Sequence, residues 1–253
     1  MSHSLREVEQ RNWYTANAGA DRNDLRANRG VLFQTLATER SFIRAFSQIT
    51  EPASTLKVLD IGCGSGAGWY QLFRLGVKPN NMTGIEIQSE RLDHVADLYP
   101  QATAVLGDAS CIPLADGSFD LVYESTLFAT LTDDHLRKDI ASEMIRVCKS
   151  SGYLLLIDWR IRKFWDPNFG VLNKRELKRL FGVGKYSKLV CITPGSLIPP
   201  LGRLLSKYAW PLYFLVAWLC PPLVGQVAYL LQKQSSPEIA HNPSKDSYGT
   251  ILQ

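Results

Sequence analysis

The sequence predicts an α/β protein whose mostly parallel sheet is covered by helices on both faces. Three observations point there. Residues 57–66 run from an apolar stretch suited to a buried strand into glycines at 62, 64 and 66, and a helix-like segment with Trp69, Tyr70, Leu72 and Phe73 follows. Strand-like and helix-like runs then keep alternating as far as Trp159, which calls for parallel strands joined by crossover helices. Acidic residues stand where several of these strands end, on the rim where ligands of such sheets bind.

In chain order, residues 1–27 are mostly polar, with Trp13 and Tyr14 their large aromatic groups. A helix is expected over 28–49, with Leu32, Leu36, Ile43 and Phe46 on one face, and Pro52 breaks the chain before the first strand at 56–61. A helix at 67–75, a strand at 82–87, a helix at 89–98 and strands at 102–106 and 119–124 follow. Leu136, Ile140, Met144 and Val147 place a long helix at 133–148, with Thr132 and Asp133 as caps. Residues 150–152 (Ser-Ser-Gly) are expected to end it before a fifth strand at 153–159. Further on come a helix at 174–181, a sixth strand at 186–192 and a seventh at 224–231. About thirty residues separate the last two, too many for a hairpin turn, so a helical insertion is expected at 194–222. Residues 234–253 read as a polar tail.

Composition narrows the class. The 253 residues, 45% of them hydrophobic, suffice for one substantial core with an added subdomain. A net charge of +4 is too mild to imply nucleic acid. The five cysteines are scattered, without C-x-x-C pairs, so neither a disulfide framework nor a metal site is expected, and a reducing, cytoplasmic compartment fits. Residues 1–9 are polar and carry no secretory signal. The most apolar run, 208–219, is too short to span a bilayer and is bounded by prolines.

The glycine turn begins the chemistry. Glycine accepts positive φ and lets a ligand approach where a Cβ would clash, and the helix start behind it offers unpaired N–H groups. Asp60, at the end of the first strand, needs a partner there, either a cationic ligand amine or donors from the loop. Glu86, followed by Ile87, ends the second strand about twenty residues later, where a carboxylate can accept both hydroxyls of a ribose. Asp108 and Ala109 follow the third strand, where a carboxylate can receive an adenine amino group and Ile112 or Leu114 can cover the ring. The fourth strand ends in Glu124-Ser125-Thr126, and residues 146–152 precede the fifth.

Taken in this order, the motifs over residues 55–160 resemble those of the class I S-adenosylmethionine-dependent methyltransferases. The resemblance implies a Rossmann-like seven-stranded sheet and S-adenosyl-L-methionine as cofactor. It assigns cofactor binding to Asp60, Gly62, Cys63, Gly64, Gly66, Glu86, Ile87, Asp108, Ala109 and Glu124, and places Tyr14 either over the cofactor's methionine end or in a core with Trp13. Cys63 then reads as a small residue in a crowded turn. The domain layout expected is a helical cap at 1–50, a methyltransferase domain at 51–233 and the tail. Residues 29–33, 39–40, 124–128 and 140–144 further resemble a bacterial subgroup encoded with enzymes of cell-surface polysaccharide assembly.

That likeness implies O-methylation of a small molecule or a sugar or glycan hydroxyl. Candidate bases lie on the carboxyl rim: Glu124, His135 in the first turn of the following helix, and Asp158, free or paired with Arg160. Each also has a plain structural reading. The enzymes of the superfamily that methylate base amino groups carry an Asn/Asp-Pro-Pro-aromatic motif where Glu124-Ser125-Thr126-Leu127 stands, so amino-group methylation of bases is not expected, whereas RNA ribose or ring-carbon chemistry, methylation of a lipid or quinone at a membrane, and cofactor binding without catalysis remain alternatives. The nine Lys and Arg residues within 160–188 suit an anionic substrate or a solvated face. The insertion, with Trp210, Tyr213, Phe214 and Trp218, is open between a substrate lid, a homodimer contact, buried core and a peripheral foot on the inner face of the membrane.

Overall fold

The computed structural model describes residues 24–162 and 169–234. Seven strands form one sheet: β1 (Val58–Ile61), β2 (Met82–Glu86), β3 (Thr103–Leu106), β4 (Phe119–Ser125), β5 (Cys148–Trp159), β6 (Ser187–Pro194) and β7 (Gln226–Lys233). Their order is β3-β2-β1-β4-β5-β7-β6. The first five strands are parallel, and β7 runs antiparallel to both β5 and β6. The order reverses between β1 and β4, so their carboxyl ends flank the crevice where such sheets hold ligands.

Among the described residues seven helices accompany the strands: α1 (Arg29–Phe46), α2 (Trp69–Arg74), α3 (Ser89–Leu98), α4 (Asp134–Val147), α5 (Lys174–Phe181), α6 (Pro199–Tyr208) and α7 (Pro211–Leu219). Their ends follow local chemistry. Asn28 accepts a hydrogen bond from the Val31 N–H at 3.2 Å. Asp133 caps α4 through the His135 and Leu136 N–H groups, and Asn173 caps α5, which ends on Gly182 at φ 57°. Prolines open both α6 and α7, where the missing N–H costs nothing.

The core divides by strand parity. Successive side chains of a strand point to opposite faces, so Leu59, Ile61, Val122, Leu154 and Leu156 pack toward α4 and α5. Val58, Leu121, Tyr123, Leu155 and Ile157 pack toward α1, α2 and α3. Both faces being covered, these strands read as continuous apolar runs, not alternating ones. Helix α1 also reaches the β6–β7 edge, where Thr193 Oγ1 donates to the Ser41 carbonyl at 2.7 Å and Thr38 Oγ1 to Gln226 Oε1 at 2.6 Å.

Some boundaries differ from those expected. Residues 150–152 do not break the chain: α4 stops at Val147 and β5 starts at Cys148, with Ser151 at φ 65° inside the strand. The Gly152 position is too crowded for a side chain, since an added Cβ would lie 3.0 Å from the Asp120 carbonyl oxygen, so the glycine serves strand packing. Strands β6 and β7 each begin and end one or two residues later than expected, their ladder running from the pairing of Ser187 with Lys233 to that of Pro194 with Val227. The insertion at 194–222 contains α6 and α7. It leaves the sheet from the end of β6 and returns at the start of β7. Asp158 pairs with Val227 and Trp159 with Gln226, so this hairpin stands on the same rim as the ends of β1, β4 and β5.

Candidate active site

The glycine turn after β1 is shaped by positive φ at Gly62 (68°), Gly64 (57°) and Gly66 (72°), values that L side chains rarely adopt. The N–H groups of Gly62 and Cys63 both donate to the Ile85 carbonyl, which ties the turn to the end of β2. Space is also short at Gly66, where a Cβ would meet the Tyr99 ring at 3.1 Å. Cys63 is buried with its Sγ packed toward Gly84, and burial pushes its thiol far up, so it is no nucleophile.

Around this turn the fold gathers the strand-end carboxylates. Asp60 is buried, and its partner is the Trp69 indole N–H of α2, at 2.8 Å. Burial raises its pKa to about 7, the indole hydrogen bond opposes that, and the nearby Glu86 adds to it. Glu86 is buried at the end of β2. Its Oε1 accepts from the Ile87 and Gln88 N–H groups and its Oε2 from the Gly64 N–H at 3.0 Å, so one carboxylate pins two loops together.

Glu124 is fully buried at the end of β4, on the opposite face of the sheet from Asp60. Its Oε2 accepts from the Leu127 N–H at 2.9 Å, whereas its Oε1 has no hydrogen-bond partner. Burial, then the neighbouring Asp158 carboxylate, holds its pKa well above the carboxylate range. Thr126, two residues on, adopts φ 62°, an uncommon conformation for a β-branched residue, at the point where the chain turns back over the rim.

Asp108 and Ala109 are half-buried in the loop after β3, where Asp108 Oδ1 accepts from the Ser110 N–H and hydroxyl. Ile112 is buried in the core. The loop is held from below by Arg146, whose guanidinium donates to the Ile112 and Leu114 carbonyls and pairs with Glu143 and Asp116.

Of the candidate bases, Glu124 and Asp158 are buried neighbours, whereas His135 is exposed. Asp158 is fully buried, and it accepts from the Ala129 N–H at 3.0 Å and the Trp159 N–H at 2.6 Å, so in this geometry it fastens the turn after β4 to the end of β5. The pairing with Arg160 weighed for it is not the one found: Arg160 donates instead to the Val224 and Pro221 carbonyls, tying β5 to the foot of α7. His135 lies exposed in the first turn of α4. Tyr14 and Trp13 lie outside the described residues. Among the described residues no cluster of His, Cys, Asp or Glu is arranged to hold a metal ion.

Two residues were not singled out from the sequence. Gln88, which directly precedes α3, is buried with its Nε2 unpartnered, and Arg91 lies across the glycine turn, its Nη1 3.2 Å from where a Gly64 Cβ would be and 3.8 Å from Glu86 Oε2. Their closeness in sequence to Glu86, Gln88 in the turn and Arg91 in the first turn of α3, was the available signal.

Residues 59–156 match the family model described as methyltransferase domain. A structure of geranyl diphosphate C-methyltransferase from Streptomyces coelicolor, with Mg2+, geranyl diphosphate and S-adenosyl-L-homocysteine, superposes with a TM-score of 0.57 at 13% identity, covering 78% of this chain and 77% of that one. The seven-stranded sheet has the class I methyltransferase fold, and residues 59–156 match its methyltransferase domain. An uncharacterized methyltransferase of Synechocystis is 33% identical to this chain over 114 residues, 44% of this chain and 52% of the relative. The 2-methyl-6-phytyl-1,4-hydroquinone methyltransferase of the same organism is 31% identical over 140 residues, 49% of this chain and 42% of that protein. The chain therefore spans about half the length of the curated relatives it matches.

The methyltransferase domain has S-adenosylmethionine as its cofactor, and the residues present fit that group. Positive-φ glycines leave a cradle at the turn, Glu86 retains one acceptor site, on Oε2, for a ribose hydroxyl, and the orphaned Glu124 Oε1 offers an acceptor for an ammonium group.

Proposed function

We propose that this chain transfers a methyl group from S-adenosylmethionine to a hydroxyl of a small molecule. The observation that supports the reading most is Glu124, a buried carboxylate with one unpartnered oxygen at the switch point of the sheet, directly across from the glycine turn. A buried polar atom without a partner is costly, so a ligand donor at this place offsets a cost that the fold alone leaves standing.

When bound, the cofactor supplies an electrophilic methyl carbon. The chain's own residues have the tasks of holding and aligning. Glu86 and the Ile87 backbone take the ribose, Asp108 and Ala109 the adenine edge, and Glu124 the ammonium end, with Asp60 on the far side of β1 orienting Trp69 beneath the turn. Methyl transfer is an in-line displacement, and positioning with exclusion of water supplies much of its rate. Asp158, buried and holding two backbone N–H groups, is a positioning residue in this reading. His135, exposed at the start of α4, is the rim group free to take the hydroxyl proton.

A second reading has an observation of its own. The relative described as acting on 2-methyl-6-phytyl-1,4-hydroquinone and the apolar hairpin α6–α7 on the same rim favour a lipid-like acceptor over a sugar. A phenolic hydroxyl also releases its proton near pH 10, which asks less of a base. The glycan setting expected from the subgroup resemblance has no counterpart among the relatives named above.

Calorimetry with S-adenosylmethionine and S-adenosylhomocysteine tests the site. Glu86→Ala and Glu124→Gln are each expected to weaken binding about ten-fold or more, corresponding to roughly 1.4 kcal/mol. Unaltered affinity in both variants would sink the assignment. Labelled methyl transfer to a panel of hydroquinones and sugars then separates the two acceptors.

A further inference from the structure

The hairpin of α6 and α7 leaves apolar side chains in solvent to an unusual degree. Tyr208 is 71% exposed, Trp218 66%, Leu219 59%, Leu204 55% and Trp210 54%. Their spacing is helical: Leu204 and Tyr208 are one turn apart on α6, and Leu212, Leu215 and Trp218 form a stripe on α7 whose opposite side, Tyr213 and Ala217, is buried. The exposure is thus a face, and it is not left by a helix that failed to pack. Phe33 of α1 touches Tyr213 and Phe214 at ring distances of 5.3 and 6.1 Å, which fixes the hairpin to the body of the fold.

Charge around this face has one sign. No Asp or Glu occurs anywhere from residue 177 to residue 237. Arg203 and Lys207 are exposed beside Leu204 and Tyr208, and the Lys207 ammonium lies 4.9 Å from the Tyr208 ring centroid. On the neighbouring helix, Arg40 and Arg44 line a cleft with Phe214 and Trp218, and Arg40 stacks on the Phe214 ring at 5.5 Å. The acid of α1 nearest in sequence, Glu39, pairs with Arg74 at 2.9 Å. Tryptophan, tyrosine and leucine bordered by Arg and Lys suit the interface of an anionic bilayer, where rings sit among headgroups and cations meet lipid phosphate. The helices are too short to cross, and among the described residues no helix qualifies as a span.

We infer that α6 and α7, with the Arg40–Arg44 edge of α1, dock this protein on the surface of an anionic phospholipid bilayer. The hairpin stands on the rim that carries Glu124 and the glycine turn, because β6 ends and β7 begins there. Docking therefore brings the site's rim to the membrane. The inference stands on the surface alone and does not depend on the methyl acceptor.

Co-sedimentation of the full chain with vesicles tests it, using phosphatidylcholine alone and phosphatidylcholine mixed with phosphatidylglycerol. The protein is expected to pellet with the mixed vesicles, less with neutral ones, and less as salt is raised. Trp210→Ser with Trp218→Ser is expected to reduce vesicle binding about ten-fold or more, and Arg203→Glu with Lys207→Glu to remove the preference for anionic lipid. Affinity for S-adenosylhomocysteine, measured on the same preparations, reports folding of the variants and keeps this result separate from the catalytic reading. No pelleting with either vesicle overturns the inference, as does equal pelleting of the tryptophan variant. A wild-type dimer in sedimentation equilibrium that the tryptophan variant abolishes, without vesicle binding, would show that a second copy covers the face instead.

Discussion

Carboxylates at the ends of β1, β2, β4 and β5 show how one residue type takes different roles from its surroundings. Glu86 is held by three backbone N–H groups, Asp60 by an indole, Asp158 by two backbone N–H groups, and Glu124 by a single backbone N–H on one oxygen. Burial raises the pKa of Asp60 to about 7 and that of Glu124 well above the carboxylate range. The folded chain therefore keeps protons that the unfolded chain has released once pH passes the ordinary value of about 4. Stability from these groups is present below that value and falls as pH rises through the folded pKa. Thermal unfolding followed by circular dichroism between about pH 5 and pH 8 is expected to show a declining midpoint, and Glu124→Gln a shallower decline. A steeper decline in the variant would contradict the assignment. Of these four positions the sequence showed the strand ends. It could not show which oxygen lacked a partner, since that depends on the path of the chain after Thr126.

At the scale of elements, the contact of α2 with β2 decides the shape of the turn. Trp69 packs closely against β2 because Gly84 has no side chain: an added Cβ would come within 2.5 Å of the Trp69 ring and 2.6 Å of Cys63 Sγ. Trp69 then stacks beside Tyr99 and presents its N–H to Asp60. Gly84→Ala is expected to destabilise the protein by about 2 kcal/mol through overpacking and to weaken cofactor binding by displacing Asp60's partner. Urea denaturation and calorimetry check both effects, and an unchanged midpoint would show that the indole has room to shift. In the sequence, Gly84 was visible only as the residue before Ile85-Glu86. Nothing local marked it as a contact, because its φ is ordinary and the crowding comes from residues fifteen and more positions away.

For the whole molecule, α1 is part of the sheet's cover. Its upper half packs Phe33 and Ala37 with the α4 side of the core and against α7, while Phe42, Ala45 and Phe46 join the α2 and α3 side. One helix therefore bridges both cores and the hairpin. Phe33→Ala is expected to cost about 3 kcal/mol and to loosen α6 and α7 together, seen as faster amide exchange across both helices; exchange faster in α1 alone would show that the hairpin stands independently. The basic stretch after β5 is likewise absorbed in part by the fold, since Arg179 pairs with Glu176 and Asp134, and Arg160 anchors the hairpin. The acid-free hairpin keeps its cations exposed.

Sequence alone determined the strand and helix alternation, the glycine turn, the order of the carboxylates and the presence of an insertion, because periodicity, φ preference and strand-end position are local properties. The span Ser89–Leu98 and the span Lys174–Phe181 were legible to the residue for the same reason. Only the tertiary structure decided that Asp158 is enclosed by backbone donors, that Glu124 keeps an unpartnered oxygen, and that the insertion rises from the same rim as the site. Those facts depend on strand order, and strand order is set by which distant apolar faces bury one another. The antiparallel entry of β7 between β5 and β6 brings the apolar, cationic hairpin beside the carboxylates.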